Sequence, residues 1–194
     1  MQIGIVSDIH GNIAGLDHAL ARMGAVDALW CAGDAFTQDE FSNAVVARLK
    51  ERGARYILGN HEETLLHPAS FRAQESASVD QELLAWVRRQ PTQITECIDG
   101  LNIHMFHSTP WEPSGDYLYP HSQFLHRLGD LDADVAIYGH THTKIAREIN
   151  GTLVLNPGSA GIGRPSNDRQ LSYAILDTVT RDVVFDDFDD PGLP

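Results

Sequence analysis

The chain has 194 residues and a formal net charge of −13, a length that suits one domain with its own core. The acidic balance, with no lysine- or arginine-rich run, excludes a binder of long nucleic acid, which needs a basic face to displace counterions from phosphates. Two cysteines, Cys31 and Cys97, are too few for a disulfide framework, and no apolar run approaches the roughly 20 residues that cross a bilayer.

Met1 leads straight into the apolar "IGIV" with no basic n-region or cleavage site, so the expected home is cytoplasmic. Residues 2–7 read as a strand, followed by a helix from Ile13 to Met23 that sets Ile13, Leu16, Leu20 and Met23 on one face. "VDALWC" (26–31) is a second strand. Residues 39–52 are a helix with Phe41, Ala44, Val45 and Leu49 inward, and "RYIL" (55–58) is a third strand. Strands alternating with helices predict parallel pairing in a layered α/β domain.

After that the pattern changes. Residues 62–90 read as mainly helical, with Leu83, Leu84, Trp86 and Val87 as an apolar stripe that Pro91 stops. "QITECI" and "LNIHMF" read as strands joined at Asp99-Gly100, a dipeptide suited to a hairpin. A proline-rich loop over 108–120 and a short helix lead to "DVAIY", "KIAREI", "TLVLN", "LSYAILD" and "RDVVFDD", with further hairpin turns at Asn150-Gly151 and Thr178–Arg181. The acidic run "DDFDDP" (186–191) reads as a solvated edge or tail. The predicted architecture is a single α/β domain over 1–194, a two-sheet β-sandwich flanked by helices, with 62–90 and 108–130 as a helical rim over the functional end.

Chemistry gathers just after the apolar strands. "IGIV" runs into Asp8 and His10, "ALWC" into Asp34, "RYIL" into Asn60 and His61, "IHMF" into His107, and "AIY" into Gly139, His140 and His142. Carboxylate, imidazole and carboxamide are ligands for borderline divalent metals, and the carboxyl ends of strands are where ligands bind in open α/β sheets. Each piece alone is common: Asp-x-His occurs by chance, Gly-Asp is an ordinary turn, and a lone histidine is usually a hydrogen-bonded one. Their shared position relative to an apolar run is what points to a metal centre.

In order, DxH, GD, GNHE, H and GHTH, together with "NPGS" at 156–159, resemble the calcineurin-like metallophosphoesterase superfamily, and are similar to its small bacterial and archaeal phosphodiesterase-like branch. The resemblance runs from Asp8 to about Arg164. It implies a four-layer sandwich with two divalent metal ions, manganese first, with iron and zinc as alternatives. One metal would be held by Asp8, His10, Asp34 and His142, and the other by Asp34, Asn60, His107 and His140, with Asp34 bridging. It further implies hydrolysis of phosphodiester or nucleotide phosphoanhydride bonds by a metal-bridging hydroxide, with His61 outside the ligand set as general acid. Arg164 is a candidate cation for the transition state; a surface arginine is the equal alternative.

Two departures stand out. Where the superfamily often has His-Gly, this chain has His107-Ser108. Where the protein phosphatases have GDxxDR, whose second aspartate orients the catalytic histidine, the chain reads "GDAFTQDE". Thr37 occupies that position and no arginine follows, which disfavours protein-phosphatase activity and leaves the group that orients His61 unnamed. His18, His67, His104, His121 and His126 read as surface or hydrogen-bonded histidines. Trp111, Tyr117 and Tyr119 in "PWEPSGDYLYP" could stack a base but read as loop packing. The expected partner is a small phosphorylated substrate, a nucleotide or dinucleotide included, with no membrane and no long nucleic acid, and the sequence carries no signal for oligomeric state. The competing class is a retired scaffold on the same fold that works through protein contacts, as the retromer subunit does.

Overall fold

The computed structural model describes residues 1–112, 114–163 and 169–193. Strand β1 (Gln2–Val6) alternates its faces: Ile3 and Ile5 enter one core while Val6 enters another. Helix α1 (Ile13–Met23) begins where the Asn12 side chain accepts the Gly15 N–H at 2.8 Å, a standard N-cap. Its buried face is Gly15, Leu16, Ala19, Leu20 and Met23, and it ends at Gly24 with φ 68°. Strand β2 (Ala28–Cys31) then pairs parallel to β1, with Ile3 beside Ala28 and Val6 beside Cys31.

Helix α2 (Asn43–Glu51) is shorter than expected, because the Ser42 hydroxyl caps it by accepting from Val45 N–H and residues 37–40 form a turn closed by a bridge. Val46, rather than the expected Ala44, joins Val45 and Leu49 on its buried face; Ala44 is exposed. Strand β3 (Arg55–Tyr56) pairs parallel to β2 and stops early, since Leu58 turns its N–H to the Pro91 carbonyl at 2.8 Å. Helices α3 (Asn60–Leu66), α4 (Phe71–Gln74) and α5 (Gln81–Val87) fill the next stretch.

Strands β4 (Gln93–Ile98) and β5 (Leu101–Phe106) form the expected hairpin. Between Phe106 and Phe124 there is no helix among the described residues, and a single 3-10 turn covers Leu125–Asp130. The helical rim expected over 108–130 is therefore mostly irregular chain. Pro110 and Pro120 have no N–H to give a helix, and Gly115 takes φ 105°. Strands β6 (Val135–Ile137), β7 (Ile145–Ile149), β8 (Thr152–Asn156), β9 (Gln170–Asp177) and β10 (Val183–Asp189) complete the chain. The acidic run lies in and just after β10, an edge strand rather than a tail: Phe188 is buried, Asp186 pairs with Arg22 and Asp187 with Lys144.

Two five-stranded mixed sheets result, in the orders β10-β9-β1-β2-β3 and β4-β5-β6-β8-β7. Ile3, Ile5, Trp30 and Ile57 from the first pack against Ile103, Met105, Val135, Ile137 and Leu155 from the second. The outer face of the first sheet packs on α1, α2, α3 and α5 through Leu16, Val45, Leu49, Leu65 and Leu84. The outer face of the second is covered by Leu118, Leu125 and Leu128. Strands β6 and β8 are buried along their whole length, which explains their unbroken apolar sequence. Strands β1, β2 and β3 are mutually parallel, as are β5 and β6, so their carboxyl ends share one edge of the sandwich.

Replacing Ile5, fully buried between the sheets, with alanine is expected to cost about 2–5 kcal/mol through lost burial and the cavity left behind. Val184→Ala on the exposed side of β10 should stay within about 0.5 kcal/mol. Urea midpoints of the two variants check the placement of the core.

Candidate metal centre

The loops beyond β1, β2 and β6 bend sharply. Asp8, His10, Asp34, His140 and His142 all take φ between 47° and 67°, and they are five of the eight described residues other than glycine with positive φ. That region costs side-chain-bearing residues on the order of 1–3 kcal/mol and persists only where neighbours enforce it. Asp8 N–H donates to the Gly33 carbonyl and His10 N–H to the Asp34 carbonyl, each at 3.0 Å, lacing the first two loops together. His140 N–H donates to the Asp8 carboxylate at 3.0 and 3.1 Å, tying the second sheet to the first. The bends turn side chains from these three strand ends toward the point where Asn60, His61 and His107 arrive from β3 and β5.

Two groups of ligand atoms form there. Around Asp8, the Nε2 atoms of His10 and His142 lie 3.1 Å apart, and His142 Nε2 is 3.4 Å from Asp8 Oδ1. Two imidazoles that share a cation at about 2.0–2.1 Å sit about that far apart. Around Asp34, His107 Nε2 is 3.2 Å from Oδ2 and 3.0 Å from Asn60 Oδ1, while buried His140 Nε2 has no hydrogen-bond partner. The trios Asp8–His10–His142, His10–Asp34–His61 and Asp34–His107–His140 each bring one donor atom per residue within 4.8 Å of the others. Asp34 belongs to two of them, and so does His10.

This donor set fits divalent cations. Asp8 and Asp34 are buried, and among the described residues their ion-pair partners are all histidines. A buried carboxylate needs a compensating charge. Burial, outweighing Asp8 and Asp34, holds the His10 imidazole down to about 4, and burial with the neighbouring His107 does the same for His140. Both rings are therefore neutral near pH 7 and offer a lone pair. For His107 burial also pulls downward, but the hydrogen bond and charge of Asp34 carry it up to about 9. Burial resists ionisation of Asp34 too, yet His107 and the His61 N–H hold its carboxyl well below the usual range.

Two supports of the site left no mark in the sequence reading. The Glu62 carboxylate, fully buried, accepts Asp34 N–H (2.9 Å), Ala35 N–H (2.6 Å), Gly59 N–H (2.8 Å) and the Tyr56 hydroxyl (2.7 Å). It thereby fastens the loop after β2 to the loop after β3. Burial and then the Asp34 charge push Glu62 up to about 7 against the pull of those donors. The two loops approach so closely that a Cβ at Gly59 would overlap the Asp34 carboxylate. "GNHE" contained Glu62 in plain view, but only its burial shows what it does. The second support is the Gln38 backbone N–H, which donates to His61 Nδ1 at 2.8 Å. A ring that accepts on Nδ1 carries its hydrogen on Nε2, and His61 Nε2 is the nitrogen 3.8 Å from Asp34 Oδ2. The orienting group is a main-chain amide beside Thr37, which no residue identity could reveal.

Eight of the nine predicted site residues are thus gathered at one edge: Asp8, His10, Asp34, Asn60, His61, His107, His140 and His142. Arg164 lies outside the described residues. The discounted histidines have other partners: His18 rests on Phe188, His67 caps Ala69 N–H, His104 meets Gln93, His121 stacks on Tyr119 and His126 meets the Gln123 carbonyl. The Arg127 guanidinium covers the Trp111 ring at 3.8 Å. Clefts flank the cluster on both sides. One of about 230 Å³ is lined by Asn60, His107, Ser108 and Gly115, and one of about 450 Å³ by His10, Thr37, Phe41 and Ser42.

Two stacked mixed sheets flanked by helices, with histidines and carboxylates at one shared edge, have the architecture of the metallophosphoesterases. A model of the calcineurin-like phosphoesterase superfamily domain matches residues 1–181, and the chain belongs to that superfamily. Over 68 residues it is 38% identical to a probable metallophosphoesterase of Methanothermobacter thermautotrophicus, a match that takes in 34% of this chain and 36% of that relative. The crystal structure of a metallophosphoesterase from Sphaerobacter thermophilus superposes with a TM-score of 0.81 over 98% of this chain and 89% of that one, at 24% identity. A structure described as a novel archaeal phosphodiesterase gives a TM-score of 0.64 over 97% of this chain and all of that one, at 22% identity. The two structural likenesses speak to the fold. Among the described residues no helix is long and apolar enough to cross a membrane.

Glu62→Gln puts an amide N–H₂ against N–H donors and should weaken the binding of a divalent cation about 10–100-fold, as loss of groups that orient ligands does. Tyr56→Phe removes a single donor, so a cost of about 1 kcal/mol in a urea melt with unchanged metal stoichiometry is expected. Calorimetric titration with manganese reads the difference.

Proposed function

We propose that the protein is a dinuclear metal-dependent phosphoesterase that hydrolyses phosphodiester or phosphoanhydride bonds of small phosphorylated molecules, nucleotides and dinucleotides among them. The observation that carries this reading is the buried carboxylate of Asp34, which belongs to ligand trios on both of its sides. In this reading Asp8, His10, Asp34 and His142 hold one cation, and Asp34, Asn60, His107 and His140 the other. Manganese is the first choice and iron or zinc the alternatives, because imidazole and carboxylate serve all three. Such a pair supplies positive charge on the phosphoryl oxygens and a water nucleophile active at neutral pH.

The chain's own groups do the rest. His61 turns Nε2 toward the cluster and, as the imidazolium, serves as proton donor to the leaving oxygen, returning to the neutral ring that accepts the Gln38 amide at Nδ1. Asn60 contributes a neutral oxygen, which adds no charge to repel a phosphate. The loop after β2 keeps Asp34 in place through Glu62. Clefts on both sides of the cluster favour a diester, whose phosphorus carries a substituent on each side, over a monoester. The scaffold reading has less support: all eight described candidate positions keep competent side chains, and a site released from catalysis has no reason to hold five strained backbones.

With chelated protein and added manganese, bis-p-nitrophenyl phosphate is expected to be cleaved faster than p-nitrophenyl phosphate. His140→Ala should lower the rate about a hundred-fold or more. Silence on both esters with two metals bound per chain would favour the scaffold. His61→Ala should lower turnover about 10²–10⁴-fold with both metals retained by elemental analysis. Loss of a metal in that variant would make His61 a ligand instead, in the sense of the His10–Asp34–His61 trio.

A further inference from the structure

Beside the cluster runs a ladder of rings. The Tyr117 ring lies 4.1 Å from that of His140, tilted by 30°. Tyr119 follows at 6.1 Å and His121 at a further 5.8 Å, each within 14° of parallel to the ring before it. Centroids near 6 Å apart with parallel planes make an offset stack, which leaves part of each face uncovered; Tyr117 is 57% exposed.

The backbone that carries the ladder is fixed. Leu118 points inward and is buried, and its carbonyl accepts the buried Tyr138 hydroxyl at 2.7 Å. Gly115 N–H donates to the Ser108 hydroxyl at 2.9 Å, and Arg147 donates to the Pro120 carbonyl at 3.0 Å. Leu118 is buried while Tyr117 before it is exposed and Tyr119 after it half-buried, and the chain turns at Pro120 and His121. Loop packing does not account for Tyr117: packing would bury its ring, whereas here the neighbouring aliphatic Leu118 is buried and the Tyr117 ring is presented, with Tyr119 half-buried behind it.

We propose that Tyr117 and Tyr119 form a stacking subsite for the nucleobase of a nucleotide ester whose phosphate occupies the adjacent cluster. This rests on the phosphoesterase reading above and names the substrate class it takes. Aromatic rings stack any base, because every base has a π-face. Charge favours a neutral ring over a second phosphate: residues 112–126 carry Glu112 and Asp116 and no lysine or arginine, and Arg147, which reaches this stretch, is engaged with the Pro120 carbonyl.

The test uses two esters with one leaving group, thymidine 5′-(p-nitrophenyl phosphate) and methyl p-nitrophenyl phosphate, with the manganese-loaded protein. The readout is the ratio of kcat/KM for the first to that for the second. Tyr119→Leu, one ring away from His140, should lower the ratio about five- to a hundred-fold, while Tyr119→Phe, which keeps the ring, should preserve it. An unchanged ratio in Tyr119→Leu with both esters still cleaved would overturn the subsite and leave the phosphoesterase reading standing. Calorimetric binding of AMP, compared with ribose 5-phosphate, reads the ladder without turnover, so failure of catalysis alone stays separable. AMP should bind the wild type at least five-fold more tightly than it binds Tyr119→Leu. Equal AMP affinity in the two proteins, or ribose 5-phosphate bound as tightly as AMP by the wild type, would overturn the base-stacking subsite.

Discussion

Two buried carboxylates with only imidazoles to answer them set the terms for the rest of this molecule. Asp8 and Asp34 lie at 0% and 2% exposure among histidines of two kinds: burial holds His10 and His140 neutral near pH 7, while the carboxylates carry His107 and His142 upward against their own burial. Burying such a group without an opposite charge costs several kcal/mol, and hydrogen bonds from main-chain amides offset only part of it. The structure therefore spends strength elsewhere to keep the cluster closed. Fully buried apolar residues surround the strand ends, and backbone amides from neighbouring loops are directed at the carboxylates.

The same constraint explains the loops. Bringing donors from five strand ends within reach of one point requires abrupt turns, and side chains that must point inward cannot be exchanged for glycine. Aspartate and histidine therefore occupy the left-handed region at five positions, and glycine is kept for places where two backbones meet, as at Gly59 beside Asp34. Glu62 resolves the remaining problem, the orphaned amides of those turns. One carboxylate that accepts four donors links β2, β3 and α3 into a rigid base under Asp34.

Around that rigid centre the two sides differ in kind. On the α2 side the cleft is walled by Thr37, Phe41 and Ser42, and on the other side by Asn60 and the chain from Ser108 to Gly115. Beyond Gly115 the wall gives way to the exposed Tyr117 ring and the half-buried Tyr119 ring. In the proposed reading the cluster takes the phosphate and these walls meet the rest of the ester.

The sequence by itself determined the strand order along the chain, the α1 helix from Ile13 to Met23, the β4–β5 hairpin and the residues that stand after each apolar run. These follow from short-range rules: periodicity, caps, turns and the placement of polar residues at strand ends. Only the tertiary structure decided what depends on distant chain meeting. Ala44 and Val46 exchanged faces once Ser42 set the start of α2. Among the described residues the 108–124 rim proved irregular, with Leu118 inside and Tyr117 outside. Glu62, six residues past a short strand, became the anchor of Asp34 through amides nearly thirty positions away. His61 gained its orientation from the main chain at Gln38, a group that every residue type possesses and that carries no signature in the sequence. Side-chain chemistry is written locally, whereas burial and main-chain hydrogen bonding between loops exist only after the two sheets have packed.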